Sequence, residues 1–186
     1  VLVTGANGFV GSAVVQRLLS AGITTRAAMR GASGLLPPGA SAHPGFDLGA
    51  TTSWAPVLDG CQAVVHTAAR AHVMRDRAKD PLSEYRRVNV DGTVRLAEQA
   101  KSAGVRRFVF LSTIKVLGER TEIGRPFTAA DAPSPSDAYA VSKAEAEAAL
   151  LQLGRQTFEV AIIRPVLVYG PGVKGNFRQL LALMHR

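Results

Sequence analysis

The sequence predicts an α/β protein built on a doubly wound parallel sheet. Short runs of β-branched apolar residues alternate with helical patterns from end to end. These runs are apolar throughout instead of alternating apolar with polar, the pattern of strands covered on both faces. The first run also leads through a glycine-rich turn straight into an amphipathic helix.

The elements follow in order. Residues 1–5 read as a buried strand ending in a glycine. Residues 9–21 keep a helical period, with Val10, Val14 and Leu18 on one stripe and Gly22 as the stop. A second strand spans 23–29, and 31–42, with Gly34, Pro37, Pro38 and Gly39, reads as a loop. A short third strand is expected at Phe46-Asp47-Leu48 and a brief helix over 51–58. The fourth strand is 63–67. A long helix runs from 82 to 103, closed by Gly104, and strand five covers 108–112. Pro126, Pro133 and Pro135 mark a loop at 118–137. An Ala-rich helix spans 138–153, strand six follows at 160–163, and 165–175 is loop. Right-handed crossovers give the strand order 3-2-1-4-5-6, and ligands of such sheets bind beyond the carboxyl ends of the strands.

Composition narrows the functional classes. At 186 residues the chain suits one domain, and a 47% hydrophobic content excludes a disordered tail. One cysteine, Cys61, excludes a disulfide scaffold or a Cys-ligated zinc module. No apolar run approaches the ~18 residues of a membrane span, and the opening residues lack the pattern of a signal peptide. The expectation is a soluble cytoplasmic protein. The chain starts without Met inside an apolar run and stops within a helical pattern, so it reads as a fragment.

The net charge of +8 fits either nucleic acid or a small polyanion. Between Arg70 and Arg87 the cations interleave with Asp76, Asp80 and Glu84, which is a solvated face and not a phosphate-tracking stripe. No nucleic-acid partner is expected.

In Thr4-Gly5-Ala6-Asn7-Gly8-Phe9-Val10-Gly11 the glycines are spaced GxxxGxxG across the strand-to-helix turn. Gly5 permits the sharp turn, Gly8 lets the backbone approach a pyrophosphate, and Gly11 lets helix and strand pack closely. A site selective for NAD places a carboxylate about 20 residues on, to accept from the ribose 2′-OH. Here Met29 fills that slot and Arg30 follows. A guanidinium there suits a 2′-phosphate, which predicts NADP(H) preferred, with NAD(H) possible.

Tyr139 and Lys143 stand at i and i+4 near a helix start, on one face. A nearby cation favours the phenolate of a tyrosine, whose ordinary pKa is about 10, so Tyr139 is a candidate acid–base. At the tip of strand five, Thr113 or Ser112 supplies a hydroxyl to the same substrate oxygen. His66 reads as a satisfied core histidine; His43, His72 and His185 have no partners at ligand spacing, so no metal site is expected. Trp54 and Phe46 read as core, Cys61 as inert.

These motifs, together with His66-Thr67-Ala68-Ala69, Asn89-Val90-Asp91-Gly92-Thr93 and Arg164-Pro165-x-x-x-Tyr169-Gly170-Pro171, resemble the extended short-chain dehydrogenase/reductase family. Within it the likeness is to the nucleotide-sugar epimerase, dehydratase and reductase branch, UDP-glucose 4-epimerase-like proteins included. The resemblance implies an NAD(P)-binding Rossmann domain over 1–165 and the start of an incomplete substrate lobe over 166–186. It implies that Gly5, Gly8, Phe9, Val10 and Gly11 lie along the pyrophosphate, that Asp47 and Leu48 flank the adenine, and that Ala68 and Ala69 line the ribose. Tyr139 matches the catalytic base, Lys143 the residue that holds the nicotinamide ribose, and Thr113 the hydroxyl position, with Ser112 its neighbour. Pro165 and Val168 match the loop beside the carboxamide, and Asn89 a brace for the sheet. Asn176 and Phe177 are candidate contacts to a nucleotide-sugar diphosphate. A homodimer through the long helices is implied by analogy.

Two departures narrow the chemistry. The Asp-Glu pair that removes water in 4,6-dehydratases is replaced by Ile114-Lys115, and Leu167 stands where many relatives carry a sugar-contacting Asn. The expected activity is 4-epimerisation or 4-keto reduction of a nucleotide sugar. The alternatives are an NADPH-dependent reductase of a steroid- or flavonoid-like ketone, which shares every cofactor motif, and a non-catalytic dinucleotide sensor, which would be expected to have lost Tyr139 or Lys143.

Overall fold

The computed structural model describes residues 1–31, 36–71, 78–173 and 183–184. Six parallel strands form one sheet in the order β3-β2-β1-β4-β5-β6, as the alternating pattern predicts. The strands are β1 (Leu2–Thr4), β2 (Arg26–Ala28), β3 (Ser41–His43), β4 (Ala63–His66), β5 (Arg107–Leu111) and β6 (Glu159–Ile163). Helices α1 (Phe9–Ser20), α2 (Ala55–Leu58), α3 (Pro81–Arg86), α4 (Gly92–Ser102) and α5 (Ala138–Leu153) cover the sheet. None of them is long and apolar enough to cross a membrane.

The register brings every strand's carboxyl end to one rim. Thr4 pairs with His66, His66 with Phe110, and Phe110 with Ile162. One side of the sheet packs Leu2, Val64, Phe108 and Phe110 against α4 and α5 residues such as Leu96, Ala100, Ala146 and Leu150. On the other, Val3 and Ala27 pack against Val15 of α1.

Three expectations are corrected. The third strand is Ser41–His43, which the glycine- and proline-rich stretch had assigned to a loop, and residues 46–48 are not a strand. An edge strand with exposed Ser41 and Ala42 carries no apolar run to betray it. Phe46 and Leu48 are apolar because they turn inward instead: Phe46 stacks on buried Trp54 at 5.1 Å, and Leu48 enters the main core. The helix expected over 51–58 is only its last turn, Ala55–Leu58. The long helix expected over 82–103 is interrupted, α3 and α4 being joined by a π-helical turn over Arg87–Asp91.

The π turn has a tertiary cause. Asn89, buried within it, accepts from the Arg70 N–H (2.8 Å) and donates to the Arg70 carbonyl (3.0 Å) and to Ser142 Oγ (3.0 Å). One side chain thus ties the segment after β4 to α5, the bracing role expected of it. Widened turns of this kind recur at functional sites.

His66 is the satisfied core histidine the sequence predicted. Its Nδ1 lies 2.6 Å from Thr4 Oγ1 and its Nε2 2.9 Å from Thr93 Oγ1. Burial, with the Lys143 charge adding, pushes it down to about 3. The unfolded chain binds a proton near pH 6.5 that the folded one refuses, so this contribution to stability is complete above that pH and lost on acidification. Between pH 7 and pH 4.5 the loss should be about 2–3 kcal/mol. In urea unfolding, the stability gap between the protein and His66→Gln should narrow over that interval; a gap independent of pH would contradict the assignment.

Candidate active site

The turn after β1 is shaped by what its glycines exclude. Gly5 has a φ of +64°, and a Cβ on it would lie 2.8 Å from the Ala68 backbone. A Cβ on Gly11 would fall on the Gly5 carbonyl oxygen and within 2.8 Å of Thr67 Oγ1. The N-cap, Gly8, has no side chain to compete for the helix start, and the first turn of α1 holds no acidic residue. The first intrahelical bond runs from Ser12 N–H to the Gly8 carbonyl. The N–H groups of Phe9, Val10 and Gly11 are therefore left for an external acceptor, at the positive end of the helix dipole. This cradle fits a pyrophosphate. Gly11→Ala must push α1 off the turn; it should cost about 1–3 kcal/mol and weaken dinucleotide binding, and an unchanged unfolding midpoint would refute the close packing.

The adenine and ribose side is built from neighbouring strand ends. Arg30 stands exposed beyond β2, next to buried Met29. Asp47 Oδ1 accepts from the Leu48 N–H at 3.0 Å. Leu48 is 6% exposed, and its backbone lies so close to α4 that a Cβ on Gly92 would meet it at 3.0 Å. The Leu48 side chain thus belongs to the core, and the open group of the pair is Asp47. Ala68 and Ala69 follow β4 directly, the Ala68 N–H reaching Thr4 Oγ1 at 3.4 Å.

Beyond β5, Thr113 caps a 3₁₀ turn over Ile114–Val116, its Oγ1 accepting from the Lys115 N–H at 3.3 Å. Ser112 is buried and its Oγ has no hydrogen-bond partner among the described residues. That leaves Thr113, half-buried at the rim, as the accessible hydroxyl of the two. The Ile114 N–H donates to the Pro165 carbonyl (3.0 Å), which fixes the loop after β6 to the same rim. Val168, further along that loop, is 41% exposed. Asn176 and Phe177 lie outside the described residues, as do His72 and His185.

Helix α5 starts where the sequence predicted. Asp137 is its N-cap, Oδ1 accepting from the Ala140 N–H at 2.7 Å. Tyr139 lies in the first turn, half-buried, its ring edge-on to Tyr85 of α3 at 6.1 Å. Burial pushes the phenol up to about 12, with Asp137 and Tyr85 adding.

The Lys143 ammonium is held by β5. The side chain is buried, its Nζ donates to the Leu111 carbonyl at 2.7 Å, and it sits 3.8 Å from the centre of the Phe110 ring. Burial pushes its ammonium down to about 7, opposed by the Glu147 carboxylate. Desolvation acts on the two side chains separately and favours the neutral form of each. In this arrangement Lys143 pins α5 to β5.

The sequence reading missed three further groups and the partner of Lys115. Tyr85 supports Tyr139. Arg70 lies over the Tyr85 ring, 5.4 Å from its centre. Lys115 pairs with Asp137 at 2.7 Å. Glu147 pairs with Arg164 at 2.6 Å, with 3% and 18% of the respective side chains exposed. The spacing signal for Glu147 was present, since Tyr139, Lys143 and Glu147 repeat every four residues along one helix face.

Comparison with known proteins shows the family and the fold. The whole chain, residues 1–186, matches the model of the NAD dependent epimerase/dehydratase family. It is 46% identical over 192 residues to a UDP-glucose 4-epimerase of Vibrio cholerae, covering 100% of this chain and 57% of that protein. It is 33% identical over 198 residues to a dihydroflavonol 4-reductase of Zea mays, covering 95% and 54%. A UDP-glucuronic acid 4-epimerase from Bacillus cereus, solved in complex with NAD, superposes with a TM-score of 0.81 at 25% identity, over 99% of this chain and 62% of that one. The chain thus spans somewhat more than half the length of these relatives. A glycine cradle, a Tyr-x-x-x-Lys helix and a strand-five hydroxyl on one sheet rim, together with these likenesses, place the chain in the NAD-dependent epimerase/dehydratase family of extended short-chain dehydrogenases/reductases.

Proposed function

We propose that this chain supplies the dinucleotide-binding and proton-handling part of an enzyme that works on a nucleotide sugar, by 4-epimerisation or 4-keto reduction. The observation that carries the reading is the convergence of the Gly5–Gly8–Gly11 cradle, Thr113 and Tyr139 at the carboxyl ends of parallel strands. The 46% identity to a UDP-glucose 4-epimerase supports the substrate class. A bound nicotinamide supplies the oxidation and reduction. The chain's own part is at the sugar oxygen: Tyr139 gives or takes the proton at O4, and Thr113 donates a hydrogen bond that fixes that oxygen. A phenol pushed up to about 12 is protonated at neutral pH, which suits the reductive half, where Tyr139 is the donor. Ile114 and Lys115 offer no carboxylate, so loss of water has no acid–base pair.

The choice of dinucleotide has support on both sides. Arg30, exposed at the end of β2 in a sequence with no carboxylate between Gly11 and Asp47, favours NADP(H). The Bacillus cereus relative holds NAD, which does not support that preference. Titration with both decides: tighter NADP(H), lost in Arg30→Ala, upholds the role of Arg30, and a tenfold preference for NAD overturns it.

A second reading, reduction of a flavonoid-like ketone, draws on the 33% identity to a dihydroflavonol 4-reductase. Purified protein offered UDP-glucose, with the product sugar identified by NMR, and then a UDP-4-keto sugar and a dihydroflavonol, with nicotinamide absorbance as the readout, separates the two. Turnover of the flavonoid alone would defeat the sugar-nucleotide proposal.

A further inference from the structure

We propose that Lys115 is a positioning residue for Tyr139, acting through Asp137: the ion pair fastens the turn that carries Thr113 to the helix start that carries Tyr139, and it offsets the anion two residues before the phenol. The inference rests on the role proposed above for Tyr139.

Asp137 has two duties that conflict. As the N-cap of α5 it must present a carboxylate or its equivalent to the Ala140 N–H, 2.7 Å away. A negative charge there also opposes loss of the Tyr139 proton. Lys115 resolves the conflict without removing the cap, because its Nζ donates to the other carboxylate oxygen, Oδ2, at 2.7 Å. Burial would raise the Asp137 carboxyl; the Lys115 hydrogen bond and the capping N–H outweigh it and hold the group below its ordinary range. The backbone of the same lysine donates to Thr113 Oγ1. One residue therefore touches the proposed hydroxyl donor through its N–H and the cap of the proposed acid–base helix through its side chain.

The other charged and titratable groups around Tyr139 are, among the described residues, already committed. Tyr85 meets its ring edge-on from α3, with the Arg70 guanidinium over the far ring. Arg86 of α3 is paired with Glu145 of α5 at 2.6 Å. Lys143, one turn along α5, gives its ammonium to the Leu111 carbonyl. Glu119 acts on Lys115 from the loop beyond the 3₁₀ turn. Loss of the Lys115 cation would uncover a charge beside the phenol. The pair is 49% and 37% exposed, so solvent screens it and the effect should be about half a pH unit. The same reasoning accounts for a lysine at a position where dehydratases carry a carboxylate.

The test is a pH titration by fluorine NMR of protein labelled with 3-fluorotyrosine. Ring fluorination acidifies the phenols and brings them to milder pH, and Tyr139→Phe assigns one resonance among the three tyrosines. Lys115→Met should raise the Tyr139 titration by about half a pH unit, and Lys115→Arg should restore it. Asp137→Asn, which keeps a capping side chain, should lower it by a similar amount. In the Asp137→Asn background, Lys115→Met should have less than half its original effect. The proposal is overturned if Lys115→Met leaves Tyr139 titrating where it did, or moves it equally with and without Asp137. No dinucleotide or substrate enters this titration, so its failure and a failure of the proposed enzymatic reading are distinguishable.

Discussion

Tyr139→Phe is expected to lower turnover of a nucleotide sugar by about 10²- to 10⁴-fold, the range over which a positioned acid–base group contributes. Dinucleotide affinity should stay within about twofold, because the substitution removes a hydroxyl that makes no hydrogen bond among the described residues and leaves the ring that packs against Tyr85. The phenol matters for its proton. Burial and the Asp137 charge hold it at about 12, so below that pH the hydroxyl form dominates. The reductive half, which consumes that proton, should be fast at neutral pH. The oxidative half needs the phenolate and should accelerate as pH rises toward the phenol's titration. Thr113→Ala should lower turnover less than Tyr139→Phe does, because it removes one hydrogen bond to the sugar oxygen and leaves the proton path intact. Measured kcat for the three proteins with UDP-glucose or a 4-keto sugar nucleotide checks the order, and full activity of Tyr139→Phe would remove the acid–base assignment.

The parts of this site that were legible in the sequence are those set by local rules. The glycines at 5 and 11 are dictated by backbone approach, since a Cβ on either would overlap backbone atoms, and at Gly8 a Cβ would press on the Gly5 carbonyl oxygen at 3.0 Å. The start of α5 is dictated by a capping aspartate, and its end at Leu153 by Gly154. The strand order followed from apolar runs separated by helices, since right-handed crossovers leave few alternatives. What was misread depends on tertiary partners. Phe46 to Leu48 carries a strand-like apolar signature, yet those residues serve Trp54 and α4. Ser41 to His43, with no such signature, forms the strand because β2 offers its free edge. The π turn at Asn89 answers to Arg70 and Ser142, which are distant in sequence. Lys143 shows the same limit in the site itself. Its spacing from Tyr139 was correct, but the direction of its ammonium was decided by the Leu111 carbonyl and the Phe110 ring.

Glu147→Ala should destabilise the protein by about 3 kcal/mol, the low end of the range for breaking a buried ion pair by removing one partner. The cost comes from what is left behind. Glu147 Oε1 and Oε2 both accept from Arg164 Nε at 3.1 Å, and Oε2 accepts from Nη2 at 2.6 Å. Without the carboxylate, a guanidinium only 18% exposed keeps just the Ala129 carbonyl at 3.4 Å. The pair also holds together two parts of the rim. Glu147 lies two turns along α5 from Tyr139, and Arg164 precedes Pro165, whose carbonyl accepts from Ile114 N–H. Glu147 is in addition the group that opposes the burial of Lys143; with it gone, Lys143 should titrate still lower and its hold on Leu111 weaken. Arg164→Ala removes the other half and strands the carboxylate, so each single variant carries a desolvation cost that the double variant escapes. The double should therefore be less destabilised than the sum of the singles by about 1–3 kcal/mol. Urea unfolding of the four proteins measures that coupling, and strict additivity would mean that the two charges are solvated separately and that the loop after β6 is held by Ile114 N–H alone.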